Sequence, residues 1–166
     1  MHYLVDGYNL LFRVLKKQGP LEKSRNTLIS DLNEIASLTR MHIVLVFDGA
    51  KEIRLPTTRS HFDEIELVYT RKDQSADEYI IEELEYSKKP EKYTIVSNDS
   101  ELQRKCHHLK AKSLSIDDFL AVLAKKKRAK KRKEIRPEVV FRESPSELNR
   151  LLTIFEKRLE EGDEQD

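Results

Sequence analysis

Cysteine is almost absent from this chain of 166 residues, Cys106 being the only one. A lone thiol closes no internal disulfide, and the N-terminus shows no basic n-region, apolar h-region or cleavage site. The chain therefore reads as an uncleaved protein of a reducing compartment, the cytoplasm. Glycine is scarce too, with four residues at Gly7, Gly19, Gly49 and Gly162. That leaves no Gly-rich phosphate loop, no dinucleotide fingerprint and no Gly-x-Ser-x-Gly elbow, which argues against covalent hydrolase chemistry. The longest apolar run is Ile43 to Phe47, far short of the roughly 20 residues that a membrane-spanning helix needs.

What is present is a set of apolar runs that stop on an acid. Tyr3 to Val5 ends at Asp6, Ile43 to Phe47 at Asp48, and Tyr93 to Val96 leads through Ser97 and Asn98 to Asp99. Short Val/Ile/Leu/Phe runs without polar alternation read as strands buried on both faces, and parallel sheets present their ligand sites beyond the carboxyl ends of such strands. The acids are therefore expected to converge on one cleft, where mutual repulsion favours a hard divalent cation.

Between these runs lie helix-like segments, the alternation of an α/β domain with a mainly parallel sheet. Leu10, Leu11, Phe12 and Leu15 suggest a short helix, broken at Gly19-Pro20. Leu28, Leu32, Ile35 and Leu38 keep helical spacing within Leu21 to Arg40. A polar stretch containing Pro56 leads to a strand at Ile65 to Tyr69. Ser75 and Glu78 stand at capping-box spacing ahead of Tyr79, Ile80, Ile81 and Leu84. A helix is expected from about Ser100 to Leu109, and a short strand at Ser113 to Ser115. Asp117 and Asp118 open a further helix with Phe119, Leu120, Val122 and Leu123. From Ser144 onward, Leu148, Leu151, Leu152, Phe155 and Leu159 fall on one face of an amphipathic helix that either packs on the domain or docks a partner. The length suits one domain with its own core, and Glu160 to Asp166 reads as a polar tail.

The net charge of +1 conceals an asymmetry. Lys125, Lys126, Lys127, Arg128, Lys130, Lys131, Arg132 and Lys133 place eight basic groups in nine positions, and the remainder carries 23 basic against 30 acidic residues, a net of −7. Such local cationic density suits a polyanion, because counterion release follows local charge. The plainer reading is a solvated helix face or a charged linker.

Each acid also has a plain structural reading. Asp6-Gly7-Tyr8-Asn9 and Asp48-Gly49 are ordinary turn and cap sequences, though Gly7 would let a ligand approach the backbone and Asn9 could bond Asp6 or a phosphate. Asp99 suits an N-cap, and Asp77, with Glu78 beside it, is welcome in the first turn of a helix on dipole grounds alone. Cys106-His107-His108 is a poor zinc cluster, because adjacent helical residues point about 100° apart.

Taken together, Asp6-Gly7-Tyr8-Asn9, Val46-Phe47-Asp48, the Thr70 to Glu78 stretch with its Ser-Ala-Asp-Glu helix start, and Val96-Ser97-Asn98-Asp99 resemble the NYN domain of YacP-type proteins, a branch of the PIN-like nuclease superfamily. The resemblance runs from Met1 to about Leu123. It implies a three-layer Rossmann-like PIN/NYN domain over 1–124 with a mainly parallel central sheet, extended by the basic tract and C-terminal helix of 125–166. It also implies metal-dependent endoribonuclease activity on messenger or ribosome-associated RNA. Asp6, Asp77 and Asp99 match the catalytic acids. Asp48 would join them around Mg²⁺ or Mn²⁺, with Asn9, Glu78, Asn98 and Glu101 in support. Such an ion would activate water and stabilise the leaving oxygen, so no histidine need serve as base. RNA, and the ribosome with it, are the expected partners, the basic tract holding the phosphates. Two alternatives stand beside this reading. One is a catalytically silent RNA- or ribosome-binding module. The other is an Asp-centred phosphatase or receiver, disfavoured because Asp6-Gly7-Tyr8 is not Asp-x-Asp.

Overall fold

The computed structural model describes residues 2–15, 20–49, 57–134 and 147–162, with the backbone alone at 133–134, 147, 155 and 158–162. The expected features at Gly19, Pro56, Ser144 and the tail beyond Gly162, and the side chains of Lys133, Phe155 and Leu159, lie outside the described residues.

In chain order the elements are β1 (His2–Asp6), α1 (Gly7–Val14), α2 (Leu21–Thr39), β2 (His42–Phe47), β3 (Thr58–Phe62), β4 (Ile65–Tyr69), α3 (Ala76–Tyr86), β5 (Tyr93–Val96), α4 (Ser100–His108), β6 (Lys112–Leu114), α5 (Ile116–Glu134) and α6 (Glu147–Gly162). A single turn of 3-10 helix at Pro90–Lys92 precedes β5. The sheet order is β3-β4-β2-β1-β5-β6. Every pairing is parallel except β3 with β4. The strand at Thr58–Phe62 has no counterpart among the strands expected from the sequence. All five of its residues are exposed, so it carries neither an apolar run nor an alternating pattern.

The period of two along each strand divides the core into two layers. Tyr3, Val5, Ile43, Leu45 and Phe47 face one side, where they meet Leu10 and Leu11 of α1, Leu28 and Leu32 of α2, Phe119 and Leu123 of α5, and Leu148 and Leu152 of α6. Leu4, Val44, Val46 and Ile95 face the other side, against Ile80 and Leu84 of α3 and Leu102 and Cys106 of α4. Helices cover both faces, which is why the central strands are continuously apolar. The C-terminal helix packs against α5 and buries Leu148 and Leu152 completely or nearly so. Among the described residues no helix is long and apolar enough to cross a membrane.

The chain leaves β1 for β2 on one side and reaches β5 on the other, each crossover using a different helical layer. The boundary between β1 and β5 is therefore the switch point of a doubly wound sheet, where a crevice opens outside the carboxyl ends.

Candidate active site

Asp6 closes β1 at this crevice. Its carboxylate caps α1 by accepting the Asn9 backbone N–H at 3.1 Å. The Asn9 side chain donates to Ser97 Oγ at 3.3 Å, tying the end of β1 to the residue that follows β5. Ser97 Oγ also accepts the Asp99 N–H at 3.1 Å. Asp99 in turn caps α4, accepting from the backbone N–H groups of Glu101 at 2.7 Å and Leu102 at 3.0 Å. Asp48, one residue past β2, accepts the N–H of Ala76, the first residue of α3. Asp77 follows Ala76 in that first turn.

Two close-packed glycines and a buried threonine set the path of the backbone here. Gly49 lies so close to Thr70 that a Cβ would run into the Thr70 carbonyl, while the Gly49 N–H donates to Thr70 Oγ1 at 3.1 Å. Thr70 is buried and its hydroxyl donates a hydrogen bond to the Gln74 carbonyl at 2.7 Å. At Gly7 the space a Cβ would take is filled by the ring of Phe47, a packing constraint that the sequence context alone does not reveal.

Charge couples the four acids. Burial pushes the Asp77 carboxyl up to about 6, and the negative charges of Asp6, Asp99 and Asp48 push it the same way, against a smaller opposing pull from Lys105. Burial also raises Asp6, opposed by the bond from the Asn9 N–H and reinforced by Asp48. A cluster in this condition has negative charge that the protein itself does not neutralise. Hard carboxylate oxygens carrying such charge match the chemistry of a divalent cation. As placed, no group of three or more His, Cys, Asp or Glu among the described residues converges closely enough to hold a metal ion.

The structure gives the neighbouring expected residues other bonds. Glu78 completes the capping box of α3, accepting the Ser75 N–H at 2.8 Å. Asn98 Oδ1 accepts the Ile116 N–H at 2.9 Å and so fixes the start of α5. Glu101 is exposed and paired with Lys105 at 2.9 Å. The basic tract forms the second half of α5. Lys125, Lys126, Lys131 and Arg132 are exposed, whereas Lys127 donates to Asn149 Oδ1 of α6 at 2.8 Å. Cys106 is buried and its thiol is pushed up to about 12 by that burial. Ser97 and Thr70, which hold the loops of the crevice, are positioning residues that the sequence alone does not single out. Each joins a local partner, Gln74 or Asp99, to a distant one, Gly49 or Asn9, and only the recurrence of Ser or Thr just beyond β4 and β5 hints at them.

These features define a class: a three-layer, Rossmann-like α/β domain of the PIN type, with interacting carboxylates outside the carboxyl ends of its parallel strands. The sequence profile of the YacP-like NYN domain matches residues 3–161. The chain belongs to the YacP-like NYN domain family, within the PIN-like nuclease superfamily. Among solved structures it is similar to a Trp-to-Leu variant of Rae1 (YacP) from Bacillus subtilis, with 21% identity, a TM-score of 0.60, and coverage of 98% of this chain and 97% of that one. A second structure of Bacillus subtilis Rae1 (YacP) aligns at 20% identity and a TM-score of 0.55, over 80% of this chain and 79% of that one. At these identities the likeness shows a shared fold. No curated protein matches the chain.

Proposed function

We propose that this protein is a metal-dependent endoribonuclease that cuts phosphodiester bonds in messenger or ribosome-associated RNA in the cytoplasm. The observation that carries the reading is the gathering of Asp6, Asp48, Asp77 and Asp99 at the switch point of the sheet, beyond β1 and β5 and at the starts of α3 and α4, where burial and then the charges of Asp6, Asp99 and Asp48 push the Asp77 carboxyl up to about 6. Asp6, Asp48, Asp77 and Asp99 would hold a Mg²⁺ or Mn²⁺ ion. When bound, that ion supplies Lewis acidity, making water more acidic and offsetting charge on the scissile phosphate. The chain's own residues supply the frame. Asn9 and Ser97 lock the ends of β1 and β5 together, so Asp6 and Asp99 are held before substrate arrives. Residues 125–166 are read as an extension of the nuclease unit 1–124, because Leu148 and Leu152 lie in the same core layer as Phe119.

Single-stranded RNA incubated with the protein is expected to be cut internally in millimolar Mg²⁺ or Mn²⁺ and left whole in EDTA, and Asp6→Asn should leave it whole in either metal. A second reading, a catalytically silent RNA- or ribosome-binding module, draws on the lack of convergence of three ligands among the described residues. RNA that is bound but never cut by the wild type in either metal would establish it.

The basic tract is assigned to the phosphate backbone. Changing the exposed Lys125, Lys126, Lys131 and Arg132 to Gln is expected to weaken RNA binding and to flatten the dependence of log K on log salt by about 0.7 for each phosphate no longer neutralised. Titrations at several salt concentrations test this. Equal affinity and equal slope in the two proteins would show that these charges meet only water.

A further inference from the structure

Beside the carboxylates, on the α1–α2 side of the sheet edge, lies a group of rings around one guanidinium. Tyr8 follows Asp6 by two residues and stacks on Phe12, with centroids 5.9 Å apart and planes 18° from parallel. Phe47, immediately before Asp48, meets Tyr8 edge-on at 5.1 Å and stacks on Tyr69 at 5.6 Å. Arg25 reaches in from α2, its ζ carbon 5.4 Å from the Tyr69 ring centroid and 6.0 Å from that of Phe47. Phe47 is buried, but Phe12 is 53% exposed, and Tyr8, Tyr69 and Arg25 are partly open.

The bonding of Arg25 is incomplete for a guanidinium with five N–H donors. Among the described residues it has no carboxylate partner. Among the described residues its side chain makes one hydrogen bond, a long one to Tyr8 Oη at 3.4 Å, and its buried Nε–H meets no acceptor. The Phe47 and Tyr69 rings hold it in place through cation–π contact, with no ion pair to a described carboxylate. The opposite flank of those carboxylates has the reverse character. The groove between α3 and α4, which includes Asp77 and Asp99, is lined by six carboxylates against two cations, Arg71 and Lys105. Each of the two is bonded to an acid, Asp73 and Glu101 respectively. The acidic lining of that groove disfavours a polyanion, whereas the α1–α2 side offers the Arg25 cation.

We infer that Tyr8, Phe12 and Arg25 form a subsite for single-stranded RNA next to the carboxylates, Arg25 taking a backbone phosphate and the exposed Phe12–Tyr8 face stacking an unpaired base. The inference rests on the nuclease reading and adds where the strand lies and what holds it. Aromatic faces accept any base, so the subsite selects single strands over duplex rather than one sequence. Arginine suits the phosphate because its planar fork is already fixed by the rings.

The test measures binding of a short fluorescent oligouridylate over a range of salt, in the Asp77→Asn background so that the oligomer survives. Phe12→Ser should weaken binding about ten-fold with an unchanged salt slope. Arg25→Met, which keeps the side-chain volume against the rings, should weaken binding and lower the slope by about 0.7, whereas Arg25→Lys should retain the slope. A purely structural Arg25 would instead give equal loss in Met and Lys variants with the slope intact. Melting temperatures of all three variants identify any that lose the fold, and Phe12→Ser, altered at an exposed ring, tests the stacking face independently. If the Asp77→Asn parent binds the oligomer and both Phe12→Ser and Arg25→Met bind it equally well with the same slope, the subsite is refuted while the nuclease reading stands. A parent with no affinity for RNA removes both.

Discussion

Asp77→Asn is expected to abolish RNA cleavage, by about a hundred-fold or more, while making the fold more stable above about pH 6. The two effects share a cause. Folding places the Asp77 carboxyl where burial and the charges of Asp6, Asp99 and Asp48 raise it from 3.8 to about 6. A carboxyl that binds its proton more tightly in the folded chain favours folding fully below the unfolded value, and that contribution disappears as pH rises through the folded value. Asparagine holds no titrating proton and escapes the repulsion. Asp77 is only half-buried, so solvent screening reduces the gain to about 1 kcal/mol, or roughly 2–4 °C in melting temperature at neutral pH. Near pH 4 the two proteins should melt together. Melting curves across this range, alongside single-turnover cleavage in Mn²⁺, check both halves. A stability difference that ignores pH would remove repulsion as its source, and wild-type cleavage by the variant would remove Asp77 from the site.

Gly49→Ala is expected to cost about 3 kcal/mol or more and to lower the melting temperature by roughly 6–12 °C. The new Cβ meets the carbonyl of Thr70, and a backbone carbonyl cannot swing aside as a side-chain tip can. Thr70 is held on three sides: its N–H donates to the Phe47 carbonyl at 3.0 Å, its hydroxyl to the Gln74 carbonyl at 2.7 Å, and its Oγ1 accepts from Gly49 at 3.1 Å. Relief of the clash must therefore move the loop after β2, carrying Asp48 away from the start of α3. Metal-dependent cleavage is expected to fall along with stability, and differential scanning calorimetry with an activity assay measures both. A melting point unchanged by the substitution would contradict the close approach.

The central strands are legible in the sequence because burial on both faces removes polar alternation, as Ile43 to Phe47 shows. The α3 capping box is legible because its two partners, Ser75 and Glu78, lie three residues apart. That same local bond explains why Glu78 reads ambiguously as a ligand: its carboxylate has a structural use that spacing alone cannot weigh against another. Asn98 is a similar case, since its bond to Ile116 spans a strand and a helix. The strand β3 is hidden by its exposure, being held by ladder bonds to β4 and not by apolar side chains. The setting of Arg25 is illegible for a third reason. Its rings come from α1, β2 and β4, and nothing along the sequence links a polar position on α2 with the ends of two strands.

On the proposed function, the helix α5 would join two jobs in one rod. Its first turn is pinned at Ile116 by Asn98, the residue before Asp99, and its first half is sunk in the core through Phe119 and Leu123. At 1.5 Å per residue, Lys125 stands about 14 Å and Arg132 about 24 Å along the axis from that pin. The grip on the phosphates would thus be a measuring stick with its zero mark at the carboxylates. An RNA held by the tract would be cut at a set number of nucleotides from the gripped segment, and adding or removing a turn of α5 would move the cut without touching any group that makes it.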